Sequence, residues 1–510
     1  MKKNIRTNCF IIWGSWLLLM ANAYAQKEAL VNLDSTHQLI RGFGGCHILQ
    51  WRPDMTDSEI ETAFGTGDNQ LGLSILRLRI QPDMSQWETN LPTALKAHDM
   101  GVTVIAAAWN PPDEMLDPDS DRRRISPDWY EDYAYHLEDF NIFMDDNDVP
   151  LYALSIQNEP DYGEWAQWTS GEMIDFMQEY ASIIDTKIIA PESFQFRRPF
   201  TDAILNDSAA CAELDIVGGH VYGGGLESYP LAESKGKEIW MTEHYTDSEN
   251  SGNLWPLAMN VGMDIHNVMT AGMNAYVWWY IVRFYGPISD GTNDSGEKGE
   301  ITKRGYIMSH YSRFIRPGYY RIDCNATPQS SVYVSAYKDS VSSQAVVVAI
   351  NNSTREKSQT FIFEKGLVEK VTPYVTSETR NCEQDAEIPV TDNTFSVTLE
   401  AKSITTFLAN MSISSVENRD PVPTSFKLNQ NYPNPFNPST CIGFEIPEKS
   451  YVSLKVYNLL GDEVAELVGK QCNSGSHTVR FDAANLSNGV YFYTLKAKNL
   501  METQKMIIMK

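Results

Sequence analysis

The stretch Tyr152-Ala153-Leu154-Ser155-Ile156-Gln157-Asn158-Glu159-Pro160 is a short apolar run that stops abruptly in Asn-Glu-Pro. It reads as a buried strand that ends in an acid. Seven further runs share its character: Ile40–Gly45, Ile75–Ile80, Val102–Trp109, Lys187–Ser193, Leu214–His220, Lys237–His244 and Ala275–Ile281. Stretches with helical periodicity, such as Pro127–Asn147 and Ser170–Asp185, lie between most of them. Strands alternating with helices over residues 40–318 predict an α/β fold, a (β/α)8 barrel. The alternative, a doubly wound open sheet, would carry a Gly-rich phosphate turn after its first strand. Gly42-Phe43-Gly44-Gly45 lacks the spacing for one.

Outward from the barrel the pattern changes. Val332–Tyr337, Gln344–Ile350, Thr360–Glu364, Val368–Tyr374, Thr394–Leu399 and Ser403–Leu408 alternate with polar turns and no helix intervenes. This predicts an antiparallel β-sandwich over 319–410, joined by the strand-like residues 28–39. Residues 411–425, polar and carrying Pro421 and Pro423, read as a linker, and a small all-β sandwich follows over 426–510. At the other end, Lys2, Lys3 and Arg6, the apolar run Phe10–Met20 and Ala23-Tyr24-Ala25 form a secretory signal peptide over 1–25. An uncleaved anchor is the alternative, but the run is short for a span of about 20 residues. No later segment is apolar enough to span a membrane, so the mature chain is expected to have no span.

Export permits disulfides. Cys324 with Cys382, and Cys441 with Cys472, are possible pairs, although spacing alone cannot establish them. The formal net charge of −25 excludes a nucleic-acid partner, which would need a basic footprint. The same charge means that an acidic substrate must be gripped by a local positive group.

Barrel function gathers at the C-terminal strand ends. There stand Arg79, Trp109, Asn110, Asn158, Glu159, Glu192, His220, Tyr222, Glu243, Tyr245 and Trp279. Carboxylates among aromatic walls suit cleavage of a glycosidic bond. Nothing resembles a metal cluster, a cofactor motif or a Ser/His/Asp arrangement, so neither metal nor cofactor is expected. Alone, Glu159 reads equally as a solvated acid. Paired with Glu243, at the end of strand seven in Trp240-Met241-Thr242-Glu243, it makes a sharper signal. Acids on strands four and seven face each other across the mouth. Oxygens about 5 Å apart would mean retention, and a gap of about 6.5–9.5 Å inversion. His220 is either structural or orients the nucleophile. In Trp278-Trp279-Tyr280-Ile281-Val282-Arg283-Phe284-Tyr285, alternation puts Trp279, Arg283 and Tyr285 toward the cleft and Trp278, Tyr280 and Val282 toward the helices. Arg283 reads either as a grip on an acidic ligand group or as the partner of a surface acid.

At these residues the chain resembles glycoside hydrolase family 30, most closely subfamily 8, the glucuronoxylan endo-β-1,4-xylanases. The resemblance rests on Arg41-Gly42-Phe43-Gly44-Gly45, Gln70-Leu71-Gly72-Leu73-Ser74-Ile75-Leu76-Arg77, Trp109-Asn110-Pro111-Pro112, Gln157-Asn158-Glu159-Pro160-Asp161-Tyr162, Trp240-Met241-Thr242-Glu243 and Tyr276-Val277-Trp278-Trp279-Tyr280-Ile281, and covers residues 28–410. It implies a barrel fused to a side sandwich and a retaining mechanism, with Glu159 as acid/base and Glu243 as nucleophile. It further implies a pocket for the 4-O-methylglucuronosyl branch of plant cell-wall glucuronoxylan, at Arg283, Tyr285, Tyr245, Ser248 and Trp279. Trp51, Trp109, Asn110, Asn158, Tyr162, His220 and Tyr222 are expected to line the groove. Two departures stand out. Val282 lies where relatives often have a second arginine, and Cys46-His47-Ile48-Leu49-Gln50 differs from the usual loop.

Residues 426–510 resemble a type IX secretion sorting domain. The carrying residues are Asn431-Tyr432-Pro433-Asn434-Pro435-Phe436-Asn437-Pro438, Gly489-Val490-Tyr491 and the basic, apolar end Lys505–Lys510. The resemblance implies a second partner, the type IX machinery, and a secreted or surface enzyme. A monomer is expected. A carbohydrate-binding module is the alternative for the tail. For the whole chain, the alternatives are a xylanase that ignores the branch and a non-catalytic polysaccharide-binding protein.

Overall fold

The structure, a computed structural model, describes residues 28–49, 52–339, 342–412, 426–431, 434–436, 439–483, 486–498 and 500–509. The expected signal peptide, most of the expected linker and Trp51 therefore lie outside the described residues.

The first strand, β1 (Glu28–Leu39), leads into a closed parallel barrel. Its staves are β2 (Gly42–Cys46), β3 (Ile75–Ile80), β4 (Thr103–Ala108), β5 (Ala153–Ser155), β6 (Lys187–Ser193), β7 (Ile216–His220), β8 (Glu238–His244) and β9 (Ala275–Trp278). Pairing of β2 with β9 closes the ring. Period-two alternation gives each stave two apolar faces. Ile75, Ile105, Ala107, Ile189, Trp240 and Val277 pack inside the barrel. Leu76, Leu78, Val104, Ala106, Met241 and Tyr276 pack outward. The stave expected over Tyr152–Glu159 is a ladder only over Ala153–Ser155. Beyond Ser155 single bonds hold the chain: Asn158 N–H to the Ala108 carbonyl at 2.7 Å and Glu159 N–H to the Glu192 carbonyl at 3.1 Å.

Both long helical expectations are met by an α-helix with a 3-10 turn at one end: Pro127–Trp129 before Tyr130–Asp146, and Ala181–Ile183 after Ser170–Tyr180. The latter starts in a capping box, Thr169 with Glu172, which satisfies two orphan N–H groups.

Strand β1 also belongs to the side sandwich. There it pairs antiparallel with β10 (Tyr319–Cys324) and parallel with β13 (Lys357–Glu364). The all-antiparallel expectation thus has one parallel exception. It arises because β1 enters from the far side of the barrel in sequence, so no hairpin constrains its direction. Strands β11 (Val332–Asp339), β12 (Gln344–Asn351), β14 (Leu367–Thr376), β15 (Thr394–Leu399) and β16 (Ser403–Ser412) complete the core around Val334, Val347, Phe361, Phe395 and Phe407. Strand β16 runs to Ser412, and Met411 pairs with Val368, so two residues expected in the linker are sheet. The opposite face, including Val346, Val348, Ile350 and Ile404, joins the barrel core. Buried His310 of the helix Lys303–Ser312 bonds Thr406 and Thr376, each at 2.8 Å. The four cysteines of the two possible pairs are thiols, not disulfides.

The tail is a second compact unit with its own core, built from a three-stranded and a four-stranded sheet around Ile442, Phe444, Leu454, Tyr493 and Ile508.

Candidate active site

Strand β3 reads Ile-Leu-Arg-Leu-Arg-Ile, so alternation sends Arg77 into the barrel with Ile75. A buried guanidinium needs acceptors, and Arg77 finds four groups. Nη1 donates to Glu243 Oε2 at 2.8 Å, and to Cys46 Sγ at 3.5 Å. Nη2 donates to Asn158 Oδ1 at 2.7 Å and to Glu192 Oε2 at 3.2 Å.

Strict alternation would point Glu192 and Glu243 outward. Register shifts in β6, between Pro191 and Ser193, and in β8, beyond Met241, turn both inward. Glu192 (φ 56°) and Glu159 (φ 48°) also occupy the left-handed region, which ordinary side chains avoid at a cost of about 1–3 kcal/mol. Glycine at 218 makes room: a Cβ there would stand 2.4 Å from the Ile189 side chain and 3.0 Å from that of Glu192.

The three acids meet at His220. Its Nδ1 is 2.8 Å from Glu159 Oε1 and 3.9 Å from Glu243 Oε1, and its Nε2 is 3.9 Å from Glu192. Trp165 Nε1 donates to Glu159 Oε2 at 2.9 Å, and the Tyr222 hydroxyl donates to Glu243 Oε1 at 3.1 Å. Carboxylate oxygens of Glu159 and Glu243 lie within 4.8 Å of one another.

Electrostatics follow from this packing. Burial lowers the His220 basicity, but Glu243, Glu159 and Glu192 more than offset it and hold the ring as an imidazolium, with a pKa of about 10. Burial raises Glu192, yet Arg77 and His220 pull it down to about 2. Glu243 is raised above the usual carboxylate range by burial, against the opposing pull of His220 and Arg77. Burial lifts the Cys46 thiol to about 12, so the departure in this loop adds a neutral contact for Arg77 and not a nucleophile.

Two aromatic walls rise from this floor. In one, Trp109 stands edge-on to Trp165 (6.4 Å) and tilted to Trp279 (6.3 Å). In the other, Tyr162, Phe194, Tyr222, Tyr245 and Tyr285 follow one another at 4.6, 5.1, 5.2 and 5.9 Å. Arg283 lies 5.7 Å from the Tyr280 ring and 5.8 Å from the Tyr285 ring, and its buried Nε has no hydrogen-bond partner among the described residues. Asn158 Nδ2 and Asn110 Oδ1 are likewise buried and unpartnered. Ser248 is half-buried in the loop after β8.

Two expectations need correction. His220 hydrogen-bonds Glu159, not the expected nucleophile Glu243, whose orienting partners are Arg77 and Tyr222. Tyr280 does not face the helices: β9 ends at Trp278, alternation stops, and Tyr280 packs inside the barrel with its hydroxyl on the Ile48 backbone. Sequence reasoning missed Arg77, Trp165 and Phe194. An arginine at an inward position of an apolar strand was a usable signal for the first; the loop residues Trp165 and Phe194 carried none.

The barrel and side sandwich are 44% identical over 399 residues to glucuronoxylanase XynC of Bacillus subtilis (strain 168), covering 76% of this chain and 92% of that protein. The fold matches a GH30 endoxylanase from Clostridium papyrosolvens C71 at 41% identity and a TM-score of 0.69, over 75% of this chain and all of that one. It also matches Xyn30A of Clostridium acetobutylicum, a glycoside hydrolase family 30 subfamily 8 xylanase, at 36% identity and a TM-score of 0.68, over 75% and 99%. The chain belongs to glycoside hydrolase family 30, subfamily 8. Within this family 30 chain, residues 430–509 match the secretion system C-terminal sorting domain. That match marks the enzyme for export.

Proposed function

We propose that this family 30 enzyme is a retaining endo-β-1,4-xylanase that cuts glucuronoxylan at points set by its 4-O-methylglucuronosyl branches. The observation that carries this is the approach of Glu159 and Glu243 oxygens to within 4.8 Å, the spacing of direct attack and not of an intervening water. The names of its relatives, glucuronoxylanase and endoxylanase, support the substrate.

Glu159 protonates the departing glycosidic oxygen while Glu243 attacks the anomeric carbon, giving a covalent xylosyl-enzyme and a shortened chain. Glu159 then takes a proton from water, which releases the sugar and restores both acids. Glu159, Glu192 and Glu243 face two cations, Arg77 and His220, so one proton shared among the three acids makes the floor neutral. Arg283, with Tyr245, Ser248 and Tyr285 beside it, grips the uronate of the branch, and Trp279 completes the pocket. Trp109, Asn110, Asn158, Tyr162 and Tyr222 line the groove for the backbone sugars. Digestion of glucuronoxylan with mapping of the uronic acid in the products tests this reading. One branch at a constant distance from each new reducing end is expected; branches scattered at random would contradict it.

The division into a signal peptide (1–25), barrel, side sandwich, linker and sorting domain fits export in two steps, through Sec and then the type IX machinery, by a monomer that is secreted or kept on the surface. Deleting residues 426–510 should leave active enzyme in the periplasm.

A further inference from the structure

Two arginines of β3 face the barrel interior, and of the two only Arg77 is ion-paired among the described residues. Arg79 is 5% exposed, and its Nε and Nη1 are buried without a hydrogen-bond partner. Among the described residues it makes no ion pair; its guanidinium lies over the Trp109 ring at 5.7 Å. Burial, with Arg123 adding like charge, lowers its pKa to about 10, which leaves it a cation at neutral pH.

Arg79 lines a cleft of about 720 Å³ together with Arg52, Asp54, Gln81, Gln86 and Thr89. The cleft is large enough for a sugar ring and is not lined by Arg283. The other charges on its wall are engaged. Arg52 donates to the Val282 carbonyl at 2.8 Å and to Glu59 at 3.3 Å. Asp54 accepts from His47 at 2.8 Å and from Thr93. Arg123, which is not on this wall, is held by Asp113 at 3.1 Å. Arg79 is thus a desolvated cation at the mouth of the barrel with its fork unused, while Gln81 adds a buried carboxamide beside it. A planar fork of this kind matches a carboxylate, and burying it unpaired is costly unless a ligand supplies the anion.

We propose that Arg79 anchors a second acidic-sugar subsite, which takes the carboxylate of a further uronosyl branch on the same xylan chain. This rests on the glucuronoxylanase reading above. The enzyme then favours closely decorated stretches over singly branched ones.

The test compares kcat/KM of the full chain on xylo-oligosaccharides with one uronosyl branch, with two at varied spacings, and with a uronosyl and a neutral arabinosyl branch at those spacings. At one spacing the doubly acidic substrate should be cleaved at least tenfold faster than the other two, the gain expected of a charge-assisted pair. Arg79→Gln should reduce that preference to near unity, and Arg79→Lys, which keeps the charge but not the fork, should retain part of it. A wild-type enzyme that treats the doubly acidic and neutral-branched substrates alike overturns the proposal without need of any variant. Equal losses on all substrates in Arg79→Gln also overturn it, because they would mark support of Trp109. If the wild-type enzyme cleaves none of the three, the xylanase reading itself fails.

Discussion

The floor and the rim of the cleft are built on opposite principles. On the floor every buried charge has a protein partner: Arg77 on Glu192 and Glu243, His220 on Glu159. On the rim, Arg283 and Arg79 have buried guanidinium nitrogens without an acceptor and, among the described residues, no carboxylate partner. A network of paired charges fixes charge and geometry before substrate arrives, which suits chemistry. Unpaired cations are completed by the ligand, which suits recognition. Floor changes should therefore affect every xylan alike, and rim changes should affect only decorated ones.

The largest effect is expected on the floor. Glu243→Gln should lower kcat by about 10⁴-fold or more on any xylan while substrate binding persists. Lost binding with normal turnover would blur the division between floor and rim. Next, Arg77→Met strands two buried carboxylates and should cost about 3–5 kcal/mol of stability, read by denaturant unfolding. A cost near zero would mean that the network is not closed. On the rim, Arg283→Ala should reduce kcat/KM on glucuronoxylan by about ten- to a hundredfold, the loss of a charged hydrogen bond, with far less change on arabinoxylan. Equal losses on both would place Arg283 with the floor.

The smallest effect sharpens the electrostatics. Glu192 is held at about 2, below its ordinary 4.5, so its contribution to stability is complete above 4.5 and lost as pH falls through 2. His220 is held at about 10, above its ordinary 6.5, so its contribution is complete below 6.5 and lost as pH rises through 10. For these two groups stability is greatest between about 4.5 and 6.5. A melting temperature that climbs steadily from pH 7 to pH 9 would contradict this.

The barrel was legible because each stave is an apolar run that ends in a polar group, and closing eight of them leaves little freedom. The strand-end positions of Glu159 and Glu243 were legible for the same reason. What escaped depends on local departures from the repeat. The alternation beyond Trp278 fails because the strand ends there. Glu192 and Glu243 point inward only through register shifts, which no pattern of side chains announces. His220 stands between two acids, and only coordinates show that Glu159 is 2.8 Å away and Glu243 3.9 Å. Trp165 reaches Glu159 from a loop with no periodicity to read.

The claim on which the rest depends is direct attack by one acid of a closely spaced pair. Proton NMR of the reducing ends formed in the first minutes of glucuronoxylan hydrolysis tests it most directly. The account predicts that the β-anomer appears first and converts to α only by mutarotation. Initial release of the α-anomer would mean that water, not Glu243, attacks the sugar, and would contradict it.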